Sequence, residues 1–366
     1  MTLEDLALIF VKGIGSRVAY HLIEHFGSAE EIYAASRAAL ICEAGLRPDL
    51  ADRIVAGEGM REAMTEAEYC RKHNIRIIAA TDAEYPAPLC EASDRPHVLF
   101  VRGNVDALSM QTLSMVGTRE RSPHSLDAID RIVGGLAAKV NNLCIVSGLA
   151  YGIDSACHRA ALTHGATTVA VVASVLPEVT PSAHRALAED IIRAGGAIVS
   201  ELHSQTKQNG NLFIARNRII AGLSSGLIIV ESPATGGSLT TADIADSYGR
   251  TVMAIPGRMT DGKSFGTNNL IRSGKARLIL TAEDILDDLG WEASTRCATP
   301  ESDVVDDALT PSERVVMEAF DEAATLDYAA LMTVTGLPIG ELAMVIMELE
   351  LKGRIRALPG KRYEKT

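Results

Sequence analysis

Long apolar runs are missing from this chain: no stretch approaches the ~20 residues that cross a bilayer. Aromatics are scarce at 4%, so Val, Ile, Leu and Ala must fill any core, and an apolar content of 47% is enough for a large one. The six cysteines (Cys42, Cys70, Cys90, Cys144, Cys157, Cys297) are scattered without a CxxC pair. That spacing argues against a zinc site or a disulfide framework and for free thiols in a reducing cytoplasm. The opening Met1-Thr-Leu-Glu-Asp-Leu6 carries acid where a secretory signal carries basic residues. There is no Walker lysine motif and no GxSxG elbow, which leaves ATP hydrolysis and esterase chemistry unsupported. A cytoplasmic protein with no metal, no cofactor and no membrane contact is expected.

The balance of charge is acidic, at −12. Its distribution is uneven. Residues 110–280 hold 16 Lys/Arg against 12 Asp/Glu, and the remainder holds 19 against 35. A local cationic site on an acidic protein is physically reasonable.

At 366 residues two or three domains are expected. Residues 1–70 read as short helices, and Val11-Lys-Gly-Ile-Gly-Ser16 has the glycine turn of a helix-hairpin-helix unit, here more simply a plain helical turn without ligand. Ile75–Ala79 and Val98–Val101 look like strands, with Tyr85-Pro-Ala-Pro88 breaking the chain between them. From 110 to 280 the rhythm is strand, loop, helix. Strands are expected at Thr112–Val116, Leu143–Ser147, Thr168–Ala173, Ala197–Ser200, Leu227–Val230 and Val252–Ile255. Amphipathic stretches at Leu126–Val140, Ser155–His164 and Thr240–Tyr248 lie between them, the pattern of a doubly wound α/β sheet over 71–285. Residues 281–310 hold nine acids and one base, and an acidic linker is expected at 286–309. Thr310-Pro-Ser-Glu313 then offers a capping box. The helices up to Leu351 and a ribbon around Pro359-Gly360 make a winged-helix pattern over 310–366, whose acidic helices suit protein docking at least as well as DNA.

Four segments fall where strands should end: Met115-Val-Gly-Thr-Arg119, Ser147-Gly-Leu-Ala-Tyr-Gly-Ile-Asp154, Phe213-Ile-Ala-Arg-Asn-Arg218 and Thr235-Gly-Gly-Ser-Leu-Thr240. Ligands of open parallel sheets bind beyond the carboxyl ends of the strands. Gly117, Ser147, Gly148, Gly152, Gly236, Gly237 and Ser238 supply tight turns and helix N-termini whose amides attract anions. Arg119, Arg216 and Arg218 supply guanidinium groups, Asn217 lies between the last two, and Lys207 in the preceding polar loop is a further phosphate contact or a solvated lysine. Arg216 and Arg218, two apart on a helix, diverge, so that one faces a ligand while the other pairs with a carboxylate. Phe213 either stacks on a base or belongs to the core. Together these residues describe a site for a polyanion. Asp154 with His158, and Glu231 beside Gly236-Gly237, are the candidates for acid–base work, but neither has a nucleophile or metal beside it, and Glu231 is better used to orient Arg216 or Arg218.

These residues closely resemble the DprA/Smf family of bacterial DNA-processing proteins. The resemblance rests on Gly117-Thr-Arg119, Ser147-Gly-Leu-Ala-x-Gly-Ile-Asp154 with His158, Arg216-Asn-Arg-Ile-Ile-Ala-Gly-Leu-Ser224, Gly237-Ser-Leu-x-Thr241-Ala, and Gly249-Arg-x-Val with Ile255-Pro-Gly257. It spans about 75–280. Thr118, Ser125, Ala215 and the segment Ala173–Pro181 depart from the family pattern, as do Ser273 and Lys275. The resemblance implies a Rossmann-like domain between a SAM-like helical domain and a winged helix. It implies a non-enzymatic protein that binds single-stranded DNA, protects it, forms a homodimer and loads the recombinase RecA during natural transformation. It assigns the DNA pocket to Arg119, Phe213, Arg216, Asn217 and Arg218, and loosely assigns the dimer contact to Asn269, Leu270 and Ile271. Two other readings stand beside it: a nucleotide-processing enzyme of phosphoribohydrolase type, against which Ser238-Leu-Thr240 replaces the expected second acid, and a pure protein adaptor.

Overall fold

A computed structural model describes residues 1–293, 310–320, 325–351, 354–358 and 362–365. The chain divides into two compact units, Met1–Arg296 and Cys297–Thr366.

In the first unit nine strands form one sheet: β1 (Arg76–Ala79), β2 (Val98–Gly103), β3 (Gln111–Val116), β4 (Leu143–Ser147), β5 (Thr167–Val171), β6 (Ala197–Ser200), β7 (Gly226–Ile229), β8 (Thr251–Ala254) and β9 (Arg277–Leu278). Their order is β1-β2-β6-β5-β4-β3-β7-β8-β9, with β3 to β9 parallel and β1 and β2 antiparallel at one edge. The six central strands expected from the sequence are present within a residue or two of their ends. The two-residue β9 gave no signal, being too short to show alternation. The chain winds outward from β3 through β4, β5 and β6, then returns to the other side of β3 with β7, so strand order reverses between β3 and β7. That reversal opens a crevice at the carboxyl ends of those two strands.

Side chains alternate between two cores. Leu113 and Met115 of β3 and Ile228 of β7 enter one, with Ile129, Val133 and Leu136. Val116, Leu227 and Ile229 enter the other, with Ile219 and Ile220. Each fully buried aliphatic side chain contributes about 1.5–3 kcal/mol, and their sum over both faces holds the sheet against its helices.

Two buried hydroxyls on β3 break the apolar pattern and position the site. Ser114 Oγ donates to Ile220 O at 2.7 Å, and Thr112 Oγ1 donates to Leu223 O at 2.6 Å. They hold the C-terminal turn of the helix Asn211–Gly222, whose last carbonyls would otherwise be orphans. That helix carries Phe213, Arg216, Asn217 and Arg218.

Two expected boundaries move. The helices before β1 (Leu3–Leu8, Ser16–Phe26, Ala29–Ala34, Arg37–Cys42, Pro48–Val55 and Met60–Lys72) do not stand apart from the sheet. They have a small core of their own, but Leu6, Ala7, Ala63 and Cys70 share another with Phe100, Val172 and Ile198. Glu66 also accepts from Ser204 N at 2.9 Å, so residues 1–70 fold as part of the first unit. The acidic stretch is not linker from 286. Thr281 caps a helix Ala282–Leu289, whose Ile285 and Leu286 enter the sheet core while Glu283 and Asp287 are exposed and Asp288 pairs with Arg277. Composition alone hid that amphipathic face. The expected linker residues 294–309 lie outside the described residues, as does Cys297, and the other five cysteines are free.

The second unit has helices Pro311–Ala319, Tyr328–Thr335 and Ile339–Leu351 and strands Thr325–Asp327, Ile355–Leu358 and Arg362–Lys365 in one antiparallel sheet. The expected capping box is present, Thr310 Oγ1 accepting from Glu313 N at 3.3 Å and Glu313 accepting from Thr310 N at 2.7 Å. The turn at Pro359-Gly360 lies outside the described residues. Among the described residues no single helix is long and apolar enough to cross a membrane.

Candidate nucleic-acid interface

All four motifs lie at the carboxyl edge of the sheet. β3 and β4 end directly into theirs, the Thr235–Thr240 motif follows β7 across 230–234, and the helix Asn211–Gly222 follows β6 across the loop 201–210. They enclose a cavity of about 340 Å³ at the reversal between β3 and β7, lined by Gly117, Arg119, Asp154, Phe213, Asn217 and Gly237 among others.

The loop after β3 is stitched on both sides. Thr118 N donates to Glu231 O at 2.8 Å, and Thr118 O accepts from Ile153 N at 3.1 Å. This explains two of the glycines. A Cβ at Gly117 would lie 2.6 Å from Ile153 and 2.8 Å from Glu231 O. Gly152 has φ +81°, and a Cβ there would lie 2.3 Å from Thr118 O. At Gly148 a Cβ would meet both Arg216 and Asp154 at 2.6 Å. These three glycines are needed for close packing of the protein on itself, and Gly117 and Gly148 also line cavities at this edge. The first amide of the helix Ile153–Thr163 is likewise spent on Thr118.

The Gly236-Gly237 turn is different. Nothing lies within 4 Å of a Cβ at Gly237, and among the described residues the amides of Gly237 and Ser238 have no partner. They open the eleven-residue helix Gly237–Ser247, which has no side-chain cap. Free donors at the positive end of a helix dipole make an anion seat. Ser238 Oγ is turned inward to Ser232 Oγ at 2.9 Å and leaves its amide for the ligand.

The arginines separate into different roles. Arg119 is exposed and makes no ion pair or hydrogen bond among the described residues. Arg216 is 6% exposed. Its Nη1 donates to Gly148 O at 2.8 Å and to Val171 O, and its Nε donates to Asn217 Oδ1 at 3.4 Å. Burial lowers its pKa to about 10, opposed by the nearby Asp154, so it stays charged at neutral pH. Asp154 is itself buried, which raises its carboxyl; Arg216 and the Ala150 amide, at 3.3 Å, pull it back. Arg216 thus fixes the cavity floor and offers only part of its charge to a ligand.

Arg218 is not at the cavity. Its Nη2 pairs with Glu201 and reaches Ser16 Oγ at 3.3 Å, tying the sheet to the N-terminal helices. The pocket assignment that the resemblance implied for Arg218 is corrected here, while the expected divergence of the two arginines is present: two positions along a helix turn Arg218 through about 200° from Arg216, onto Glu201. Glu231 orients neither arginine. It is 3% exposed, and its Oε2 accepts from Ser122 N at 2.9 Å, where the helix Pro123–Lys139 begins. Ser147 is also withdrawn, fully buried with Oγ donating to Met115 O at 2.7 Å. His158 pairs with Thr168 Oγ1 at 2.7 Å and not with Asp154. Burial lowers its pKa to about 3, so it is a neutral core histidine.

Phe213 is half-buried on the cavity wall and Asn217 lies one turn beyond it. Lys207 is exposed, without a side-chain partner, on the loop leading to Phe213, and does not line the cavity. Of the expected dimer residues, Asn269 is exposed and Ile271 half-buried, but Leu270 is 8% exposed and packs in the sheet core, so it is withdrawn from any partner. Two exposed residues escaped sequence reasoning. Ile214, 60% exposed on the helix Asn211–Gly222, shares a face with polar Asn217 and Arg218, a signal that a helical projection carries. Tyr151, 52% exposed in the turn after β4, had only its place between two glycines to mark it.

The family model of DNA recombination-mediator protein A matches residues 76–290. The chain belongs to that family, DprA/Smf. A DprA winged-helix model matches 300–361, and a SAM-like helix-hairpin-helix tandem matches 5–57. The chain is 35% identical over 291 residues to Protein Smf of Escherichia coli, covering 78% of this chain and 76% of that one. It is 41% identical over 202 residues to DNA processing protein DprA of Streptococcus pneumoniae, covering 55% and 70%. The crystal structure of the pneumococcal DprA superposes with a TM-score of 0.68 at 30% identity, over 78% of this chain and 98% of that one. DprA of Helicobacter pylori, described for its single-stranded DNA binding mode, superposes with 0.52 at 26% identity, over 59% and 97%. The DprA/Smf family is one of DNA-recombination mediators, and the matched residues 76–290 include all four motifs.

Proposed function

We propose that this chain binds single-stranded DNA along the carboxyl edge of its sheet and acts without catalysis. The observation that carries the reading is Arg119: a guanidinium without a partner among the described residues, lining the same cavity as Gly237 and Ser238, whose amides are free there too. Phosphates meet these donors, Phe213 takes a base, and Lys207 meets the strand before it reaches the cavity. No side chain at the cavity is poised as nucleophile or base: Asp154 is held by Arg216 and Ala150, and Glu231 serves Ser122. Single strands bind more tightly than duplex here, since an unpaired base is free to turn onto Phe213.

The same reading makes the protein a cytoplasmic homodimer that protects incoming strands and hands them to RecA in transformation and recombination. Support for a dimer at the sheet edge comes from β9, an edge strand with Leu278 and the following Leu280 exposed at 46% and 67%. The test is fluorescence anisotropy with a labelled oligonucleotide, single-stranded against double-stranded, over a salt series. The reading requires a preference for the single strand and a steep loss of affinity with salt. Equal binding of both forms, or release of base from nucleoside monophosphates, would overturn it.

A further inference from the structure

A second cavity, of about 420 Å³, adjoins the first and shares Arg119, Ala150, Phe213, Ile214 and Arg216 with it. Its far wall is Tyr151, and Thr180 with Pro181 closes one side. Three apolar side chains from two separate elements converge here, and each is more exposed than the fold requires. Ile214 is 60% exposed, Tyr151 is 52% exposed, and Phe213 is half-buried. Tyr151 occupies a turn position between Ala150 and Gly152 that needs no aromatic ring to form. The turn is held instead by Gly152 and by His184, whose Nδ1 bonds Leu149 O at 2.7 Å. Yet the Tyr151 ring is not loose. It rests on His184 with ring centroids 4.9 Å apart and planes at 65°, and His184 is itself 8% exposed. A half-exposed ring already fixed in place loses little freedom when a flat ligand stacks on it.

We propose that this second cavity is a base subsite, in which Tyr151 is a stacking platform for the nucleotide next to the one at Phe213. It rests on the single-strand reading above and adds to it a residue and a ligand group, the nucleobase rather than the phosphate. Arg119, on the shared wall, holds the phosphate between the two bases. The strand then runs from the Gly237 turn past Arg119 to Tyr151, with its bases splayed onto one aromatic ring after the other. Stacking of this kind tolerates any base, because every base has a π-face.

The test compares a thymidine oligonucleotide of about 20 nucleotides with an abasic oligonucleotide of the same length and charge. Wild-type, Tyr151→Ala, Tyr151→Phe and Arg119→Ala chains are titrated with both. Tyr151→Ala should lose about 5- to 150-fold on the thymidine strand and nothing on the abasic one, with an unchanged salt slope. Tyr151→Phe should bind as wild type. Thymidine monophosphate alone should not compete at concentrations that saturate the oligonucleotide, since the subsite is filled by a tethered base; competition at those concentrations would replace the strand by a free nucleotide and overturn the proposal. Photocrosslinking of a bromouridine strand to the wild-type chain should label Tyr151, which keeps the test independent of how the alanine variant folds. If Tyr151→Ala matches wild type on thymidine, or loses equally on the abasic strand, the subsite is wrong while single-strand binding stands. If the wild-type chain binds neither oligonucleotide, both fall.

Discussion

Arg119 and Arg216 line the same cavity, and their removal should produce opposite phenotypes. Arg119 has no partner among the described residues, so Arg119→Ala should leave the thermal midpoint unchanged. One charge-assisted contact to phosphate is worth about 1–2 kcal/mol at a wet rim, or roughly 5- to 30-fold in affinity at low salt. Each single-strand phosphate contact adds ~0.7 to the salt slope, so the ratio of wild-type to variant affinity should shrink by about 2.6-fold between about 50 and 200 mM salt. Arg216→Ala acts on the fold. It strips donors from Gly148 O, Val171 O and Asn217 and leaves Asp154 buried without its cation. Removing one partner of a buried charge pair costs about 3–5 kcal/mol, and at about 2.1 cal/mol/K per residue over the unit Met1–Arg296 that lowers the midpoint by roughly 5–8 °C. Differential scanning fluorimetry and anisotropy on the two variants separate the cases. A normal salt slope in Arg119→Ala, or a wild-type midpoint in Arg216→Ala, would refute the division of labour drawn from the geometry.

Gly237→Ala should keep or slightly raise stability, by about 0.5–1 kcal/mol, since alanine suits the first helical position and nothing crowds it; if phosphate seats on the Gly237 and Ser238 amides, its single-strand affinity nonetheless falls. Gly152→Ala, with φ +81° and Thr118 O in the way, should lower the midpoint and the affinity together, because it displaces the loop that carries Arg119. His158 imposes an acid limit. Thr168 Oγ1 donates to Ile145 O, so His158 Nδ1–H donates to Thr168 and Nε2 is left buried and bare. Its folded pKa of about 3 lies below the unfolded ~6.5, so the unfolded chain takes up the proton first. Stability is unaffected above pH ~6.5 and falls by up to ~1.4 kcal/mol per unit as pH drops toward 3. The raised carboxyls of Asp154 and Glu201 act in the opposite direction and flatten the lower end. Urea midpoints between pH 7 and 5 should fall less in His158→Asn, whose amide reaches the Nδ1 position; parallel curves for the two proteins would refute this. A thiol reagent should label Cys42 and Cys90 in the native protein and reach Cys70, Cys144 and Cys157 only on unfolding.

The sequence alone determined the parallel sheet, because strands covered on both faces must be short, apolar and β-branched, and such runs stand out against polar loops. It also determined that the four motifs meet at one edge, since in a parallel sheet every strand ends on the same side. It marked Arg119 as a candidate ligand residue, and Arg119 lines the cavity without a partner among the described residues. What it left open was the division of labour within each motif. Gly117, Gly148 and Gly152 read like ligand glycines, but their neighbours are Ile153, Arg216 and Thr118, residues brought there by packing across the loops. The spacing of Arg216 and Arg218 already separated them on the helix, but which one lines the cavity and which meets Glu201 was decided by the packing of that helix. The acidic residues after 281 read as linker because composition does not see which face of a helix is apolar. Contacts between residues far apart in the chain settle such questions, and a local pattern carries no record of them.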